Sequence, residues 1–507
     1  MKMSKPHIVA IPYPAQGHVI PLMELSQCLV NHGFKVTFVN TEFNHKRVMN
    51  ARDDESHIRN DQINQVPISD GLELWEDRND LGKLSEAIQR VMPMKLEELI
   101  EKINQEEGDN VTCVIADESC GWALEVARKM QILRVVAFWP ASAAALEVIF
   151  SIPKFIQEGI IHKDEYNHII CTKYINKQFH FTNSHHGHSL LAGAVLKSQM
   201  VELAPNMPTM KTTDFIWASI GDKTTQEIIF QLMQRSNKTV KLADRLVCNS
   251  AFDLEPEAFT CLEPQAFTLA PNILPIGPLL ASSRLGKAAG SFWAEDSTCL
   301  EWLDQQSPSS VIYIAFGSFT VFDQTQFQEL ALALELSNRP FLWIVRPDIS
   351  ETTPYPEGYK ERVGSKGLMV GWVPQQKVLA HPSIACFLSH CGWNSTLEGV
   401  SNGVPFLCWP YFADQFLNES YICDIWKVGL RLDKNESGII AKEEIKNKVE
   451  QVLCDKSYSA RASKLKELAM INIKEGGQSN MIFKDFVEWM KSETCISRIS
   501  LDFGESN

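Results

Sequence analysis

Three short apolar runs between residues 367 and 409 each give way to polar or aromatic residues, and this spacing constrains the chain more than any other feature. Gly367–Gly371 (GLMVG) reads as a strand with Trp372 just beyond it. Ile384–Ser389 (IACFLS) is followed at once by His390-Cys391-Gly392-Trp393-Asn394-Ser395, and Val404–Trp409 (VPFLCW) leads within a few residues to Asp414 and Gln415. In open parallel α/β sheets, ligands bind outside the carboxyl ends of the strands. The pattern predicts one ligand-binding crevice in an α/β fold.

Other runs extend it. Val311–Phe316 (VIYIAF) precedes Gly317-Ser318, and Phe341–Val345 is a further strand, so Ser318 joins Trp372, His390 and Asp414 at one rim. Upstream, strand Ile8–Ile11 leads into a loop ending at His18, then a helix with Leu22, Leu25 and Leu29 on one face. Phe34–Val39, Val111–Ala116 and Arg134–Phe138 follow, with Leu246–Ser250 as the last strand of this half. Asp117 ends the third of these upstream runs, so His18 and Asp117 share a second rim. No GxGxxG follows the first strand, which counts against a dinucleotide enzyme.

The unbroken segment from Trp372 to Gln415 resembles the signature box of plant secondary-product UDP-glycosyltransferases, two-domain enzymes of the GT-B fold. The resemblance runs from about Lys5 to Lys491. It implies two Rossmann-like doubly wound domains facing a central cleft: an acceptor-binding domain over 1–250 and a UDP-sugar-binding domain over 251–475. A terminal helix over 476–495 would cross back to the first, presenting the stripe Ile482, Phe483, Phe486, Val487 and Met490.

By position in the box, Trp372 would stack on uracil, the Val373 backbone would read the base edge, and Gln375 and Glu398 would meet the ribose. A helix from about Asn394 to Val400 would offer its N-terminus to the diphosphate. His390, Asn394 and Ser395 would add donors there, and Ser318 would reach the outer phosphate. Asp414, Gln415 and the Trp393 backbone would hold the sugar, and Gln415 as the last residue implies glucose. In PYPAQGHVIPL, His18 matches the family's acceptor base, and Asp117 in VIADES matches the acid that orients it. Singly, Trp372 and His390 would pass for core residues, and Asn394 and Ser395 for helix caps. Their joint placement sets the expectation. Direct displacement on an α-linked donor would invert it to a β-glycoside. The resemblance implies no bound metal and no cofactor beyond UDP-glucose as donor co-substrate.

A chain of 507 residues is expected to form two or three domains, and a net charge of −14 disfavours nucleic acid and anionic membranes as main partners. The thirteen cysteines lack CxxC spacing, which suggests reduced thiols in a cytoplasmic protein. The first strand is broken by Pro12 and Pro14 and does not read as a signal peptide, and no run spans a membrane. A monomer is expected. The sequons at Asn110, Asn237, Asn394, Asn418 and Asn435 would go unused there. His185-His186-Gly187-His188 lacks companion ligands of metal-site spacing and reads as a solvated loop.

Hydrophobic segments around Tyr13, Trp75–Leu84 and Phe138–Phe155 suit a flat or apolar hydroxylated acceptor, with a hydroxyl (or carboxyl) of a small hydrophobic metabolite as the group to receive glucose. Residues 165–203 lose periodicity and depart from the family, either as an acceptor-side insertion or as a gene-model artefact. Two other classes stay open: a nucleotide-sugar-binding protein without catalysis, and a nicotinamide oxidoreductase.

Overall fold

Unalternated runs such as HIVAI and VIYIA must be buried on both faces, which is the condition of a parallel strand covered by helices. A computed structural model describes residues 5–51, 63–106, 110–162, 191–266, 272–279, 290–350 and 352–492, and both runs are fully buried in it. Two parallel sheets result. The first contains β1 (His7–Ile11), β2 (Lys35–Thr41), β3 (Ile63–Ile68), β4 (Val111–Asp117) and β5 (Arg134–Trp139). A separate hairpin, β6 (Met200–Val201) with β7 (Met210–Lys211), precedes its last two strands, β8 (Arg245–Cys248) and β9 (Ile273–Pro275). The second sheet contains β10 (Val311–Ala315), β11 (Phe341–Ile344), β12 (Gly367–Val370), β13 (Ile384–Ser389), β14 (Phe406–Cys408) and β15 (Gly429–Arg431).

The strand orders are β3-β2-β1-β4-β5-β8-β9 and β12-β11-β10-β13-β14-β15. In each, the order reverses beside the first strand, between β1 and β4 and between β10 and β13. The carboxyl ends of such pairs form the crevice of a doubly wound sheet. Ile11 pairs with Ala116 and Ala315 with Ser389, so the residues following each pair emerge side by side.

The terminal helix Gln478–Lys491 buries Phe483, Phe486, Val487 and Met490 in the same core layer as Ile8, Ala10 and Phe38 of the first half. Burying each such side chain is worth roughly 1.5–3 kcal/mol, enough to hold the helix across the domain boundary. No helix among the described residues is long and apolar enough to cross a membrane, and the cysteines described are free thiols, most of them buried.

The structure corrects several expectations. Leu246–Ser250 is not the last strand of the first half: β9 pairs with β8, so a boundary at 250/251 divides the first sheet. His18 is not in a loop but in the first turn of the helix Gln16–Asn31. The stretch 165–203 is not structureless to its end, since β6 falls within it. Residues 163–190, including His185, His186 and His188, lie outside the described residues, as do 271 and 280–289 of the Pro- and Gly-containing run 271–290, whose composition reads as a linker.

Candidate active site

The first rim is built by β1 and β4. The His18 Nδ1–H donates to Asp117 Oδ2 at 2.7 Å, and the other carboxylate oxygen accepts from the Ser119 backbone N–H at 2.9 Å. Asp117 is fully buried. A carboxylate can only accept, so the proton sits on Nδ1 and the lone pair of Nε2 is left facing the cleft. Burial alone would lower the His18 pKa. The charge and hydrogen bond of Asp117, with a contribution from Asp414, outweigh it and leave the imidazole above its ordinary value.

The helix carrying His18 has a proline inside it, Pro21. Lacking an N–H, Pro21 cannot bond the carbonyl four residues back, that of Gly17. Asn394 fills the vacancy from the other half of the molecule, its Nδ2–H donating to Gly17 O at 2.7 Å.

The second rim is tighter. After β10 the chain turns at Gly317, with φ of +68°, and the His390 ring lies against it: a Cβ there would stand 2.6 Å from His390 Nε2, and one on Gly392 2.5 Å. Burial pushes the His390 pKa down to about 4, the Ala315 carbonyl opposing and Arg346 reinforcing, so the ring is neutral. Gly392 also precedes the helix Trp393–Asn402 with no side-chain cap. The first N–H groups of that helix are therefore open to an anion. The Trp393 indole N–H donates back to Asn249 O at 2.8 Å, tying this turn to the first half.

Trp372 stacks on Trp293 with centroids 4.7 Å apart, and the guanidinium of Arg47, from the first half, lies 4.2 Å over the far ring. Val373 is buried beside them. Gln375 is fully engaged: its carbonyl accepts from Tyr313 Oη–H at 2.9 Å, and its amide donates to Ser395 Oγ at 2.9 Å and to Glu398 Oε2. Its evident task is to position Ser395 and Glu398. Burial raises the Glu398 carboxyl to about 7, the bonds from Gln375 and Gln376 working against this and Glu295 adding to it.

Asp414 accepts from Asn418 Nδ2–H at 2.9 Å, and burial raises its pKa against the pull of that bond and of His18. Gln415 spends its carbonyl on the N–H groups of Tyr411 and Phe412, at 2.7 and 3.1 Å, which turns the amide so that its NH₂ is the part left for a ligand.

One cavity of about 560 Å³ joins the two rims. Every candidate residue lines it except Asp117, which stands behind His18. Much of its first-half wall is apolar: Tyr13, Leu81, Trp139 and Ile149 come from segments expected to meet the acceptor. Trp75 does not take part and is 81% exposed. Ile229, Leu232 and Met233 of the helix Lys223–Thr239 complete the wall. They escaped the sequence reading, although their spacing marks one helical face. Arg346 escaped it too, yet it follows β11 by the same rim rule. Buried, it donates to the carbonyls of Gly317 and Thr320 at 2.8 and 3.1 Å and so holds the turn that meets His390. Among the described residues no cluster of His, Cys, Asp or Glu stands ready to hold a metal.

Known proteins share this architecture. Residues 293–470 match the UDP-glucoronosyl and UDP-glucosyl transferase family. UDP-glycosyltransferase 83A1 of Arabidopsis thaliana is 44% identical over 501 residues, covering 97% of this chain and 98% of its own. Linamarin synthase 1 of Manihot esculenta is 34% identical, covering 95% and 96%. Among solved structures, a UDP-glucosyltransferase from Polygonum tinctorium capable of glucosylating indoxyl, in complex with 3,4-dichloroaniline, aligns with a TM-score of 0.75 at 26% identity, covering 97% of this chain and all of that one. The two facing Rossmann-like sheets are thus a GT-B fold, and this chain belongs to the plant family 1 UDP-glycosyltransferases.

Proposed function

We propose that the enzyme transfers glucose from UDP-glucose to a hydroxyl of a small hydrophobic metabolite, giving a β-glucoside. The observation that carries this reading is the dyad: an Asp117-oriented His18 whose Nε2 opens onto the same cavity as the donor box. In the step proposed, Nε2 takes the acceptor's hydroxyl proton as its oxygen attacks the anomeric carbon. The bond from that carbon to the diphosphate breaks, and its electron pair leaves with UDP. Attack from the His18 side and departure toward the second domain place the two groups on opposite faces, hence inversion.

Trp372 stacks the uracil, whose edge faces the Val373 backbone. Glu398, set by Gln375, accepts the ribose hydroxyls. The open helix end, with Ser318, His390, Asn394 and Ser395, takes the diphosphate without a metal. Asp414, the Gln415 NH₂ and the Trp393 backbone address the sugar. The dyad disfavours a binding protein without catalysis, which would have no use for an oriented base.

The test is a mass-spectrometric scan of purified protein with UDP-glucose and a pool of hydroxylated plant metabolites, with His18→Ala alongside. Hexose addition by the wild type alone is expected, as the β-anomer by NMR. An α-glucoside, or equal product from the variant, would sink the reading.

Glu398 gives a second check. A carboxyl with a pKa near 7 in the empty site must lose its proton before it can accept both ribose hydroxyls. UDP-glucose affinity is therefore expected to be level above about pH 7 and to weaken about tenfold per unit below it. Glu398→Gln should bind more weakly at high pH and flatten the profile. UDP-glucose suits calorimetry here because its doubly esterified diphosphate exchanges no proton in this range. A wild-type profile without that bend would remove Glu398 from the ribose site.

A further inference from the structure

Among the polar residues on the otherwise apolar acceptor wall is a buried carboxyl that the dyad does not use. Glu118 directly follows Asp117, in the short turn Glu118–Cys120 beyond β4, and borders the cavity. It is only 2% exposed, and its Oε1 is wholly buried with no hydrogen-bond partner among the described residues. Glu255 shows what a structural carboxyl of this chain looks like. It too is fully buried, but it accepts from Ala143 N–H at 2.9 Å, Ala144 N–H at 3.0 Å and Ser250 Oγ–H at 2.6 Å.

Leaving a buried polar group unpaired is costly, so such a group at the edge of a ligand cavity calls for an explanation. The turn is also pinned, which holds the carboxyl beside the dyad. Ser236 Oγ–H donates to Glu118 O at 3.1 Å, and the Ser119 N–H is held by Asp117. Burial first, and the neighbouring Asp117 charge second, raise the Glu118 carboxyl to about 8. Near neutral pH it is an uncharged acid, with an O–H to give and a C=O to accept.

We propose that Glu118 is a specificity-determining residue: it pairs with a second polar group, a hydroxyl or carbonyl, on an otherwise apolar acceptor while His18 addresses the hydroxyl to be glucosylated. The acceptor class is thereby narrowed to apolar molecules carrying two oxygen functions rather than one. This rests on the glucosyl transfer proposed above. The group is not needed for the chemical step, so its signature is selection among acceptors, read chiefly in KM.

The probes are 4-phenylphenol and its dihydroxy isomers, with the second hydroxyl beside the first, elsewhere on the same ring, or on the far ring. Wild type, Glu118→Gln and Glu118→Leu are compared with UDP-glucose as donor, and thermal unfolding is measured without ligands. Wild type is expected to prefer at least one dihydroxy isomer over the parent by about tenfold or more in kcat/KM. Glu118→Leu should lose that preference through KM, and Glu118→Gln, which can still donate and accept, should keep most of it. Because an unpaired acid is replaced by an apolar side chain, the free Leu variant should melt higher, by about 2–4 °C.

The same preference in the Leu variant, or a lower melting temperature for it, would overturn the proposal, the latter by showing a structural role. Transfer to none of these phenols by any form, with UDP-glucose still bound, would instead count against the underlying transfer reading. The melting comparison would then still decide whether Glu118 is a spare group or a structural one.

Discussion

Replacing His18 with alanine is expected to lower kcat by about 10²–10⁴, the usual worth of a positioned general base, or roughly 3–5 kcal/mol of barrier. UDP binding should stay within about twofold, since the nucleotide is expected on the second domain and the His18 ring belongs to the first. Steady-state kinetics on any acceptor found in the scan, with calorimetric UDP titration, checks both parts. A variant that retains wild-type kcat would mean another group takes the proton.

Asp117→Asn refines the point, because it removes the charge while keeping the shape. The Asp117 carboxylate is what holds His18 above its ordinary pKa against burial. Without it burial wins, so the acid limb of the kcat/KM profile should move to lower pH. The plateau should also fall, because an amide N–H facing Nδ1 favours the tautomer that blocks Nε2. A limb that stays in place would show that the interaction does not set the base.

Gly317→Ala is expected to lower UDP-glucose affinity by one to two decades, a large effect for one methyl group. Two costs coincide. The residue stands at φ of +68°, and the new Cβ would sit 2.6 Å from His390 Nε2. The left-handed backbone costs about 1–2 kcal/mol for a residue with a Cβ, and overpacking typically about 1–3 kcal/mol more. His390 has little room to yield, because a Cβ position on Gly392 would stand 2.5 Å from the same Nε2, so the rim must open. Calorimetry with UDP-glucose, set beside the melting temperature, separates this from global unfolding. Unchanged affinity would show that the Gly317–His390 contact is not part of the donor site.

The sequence carried the site further than the architecture around it. Strands buried on both faces, β1, β4, β10 and β13, announce themselves as apolar runs, and the rim rule then points to the residues after them. Within the two large sheets, the three strands that escape a sequence reading, β3, β9 and β15, all lie at edges. INQVPI is half exposed and contains Pro67, while ILP and GLR have three residues each, so little hydrophobic signal survives. A domain boundary set at 250/251 by the apolar runs alone therefore cuts β9 from its sheet.

Within the site, the gathering of His18, Trp372, His390 and Glu398 around one cavity was legible, but the helix that holds His18 and the partners already engaged were not. That the Gln375 amide is already committed to Tyr313, Ser395 and Glu398 depends on three elements meeting, and no spacing along the chain reveals it. The same holds for Glu118. In sequence it is one more acid after Asp117, and only the fold shows that its Oε1 has no partner among the described residues.

Pro21 looks like a flaw in the helix that bears His18, since it withholds one backbone bond from the Gly17 carbonyl. Asn394 makes use of that missing bond from across the cleft. Residues 377 positions apart are thereby joined at one carbonyl, and the helix carrying the base is registered against the helix receiving the donor. Two rigid bodies that must be aligned to within a fraction of an ångström for a single displacement thus have a gauge point between them, made by an omission in the covalent chain rather than by an added contact.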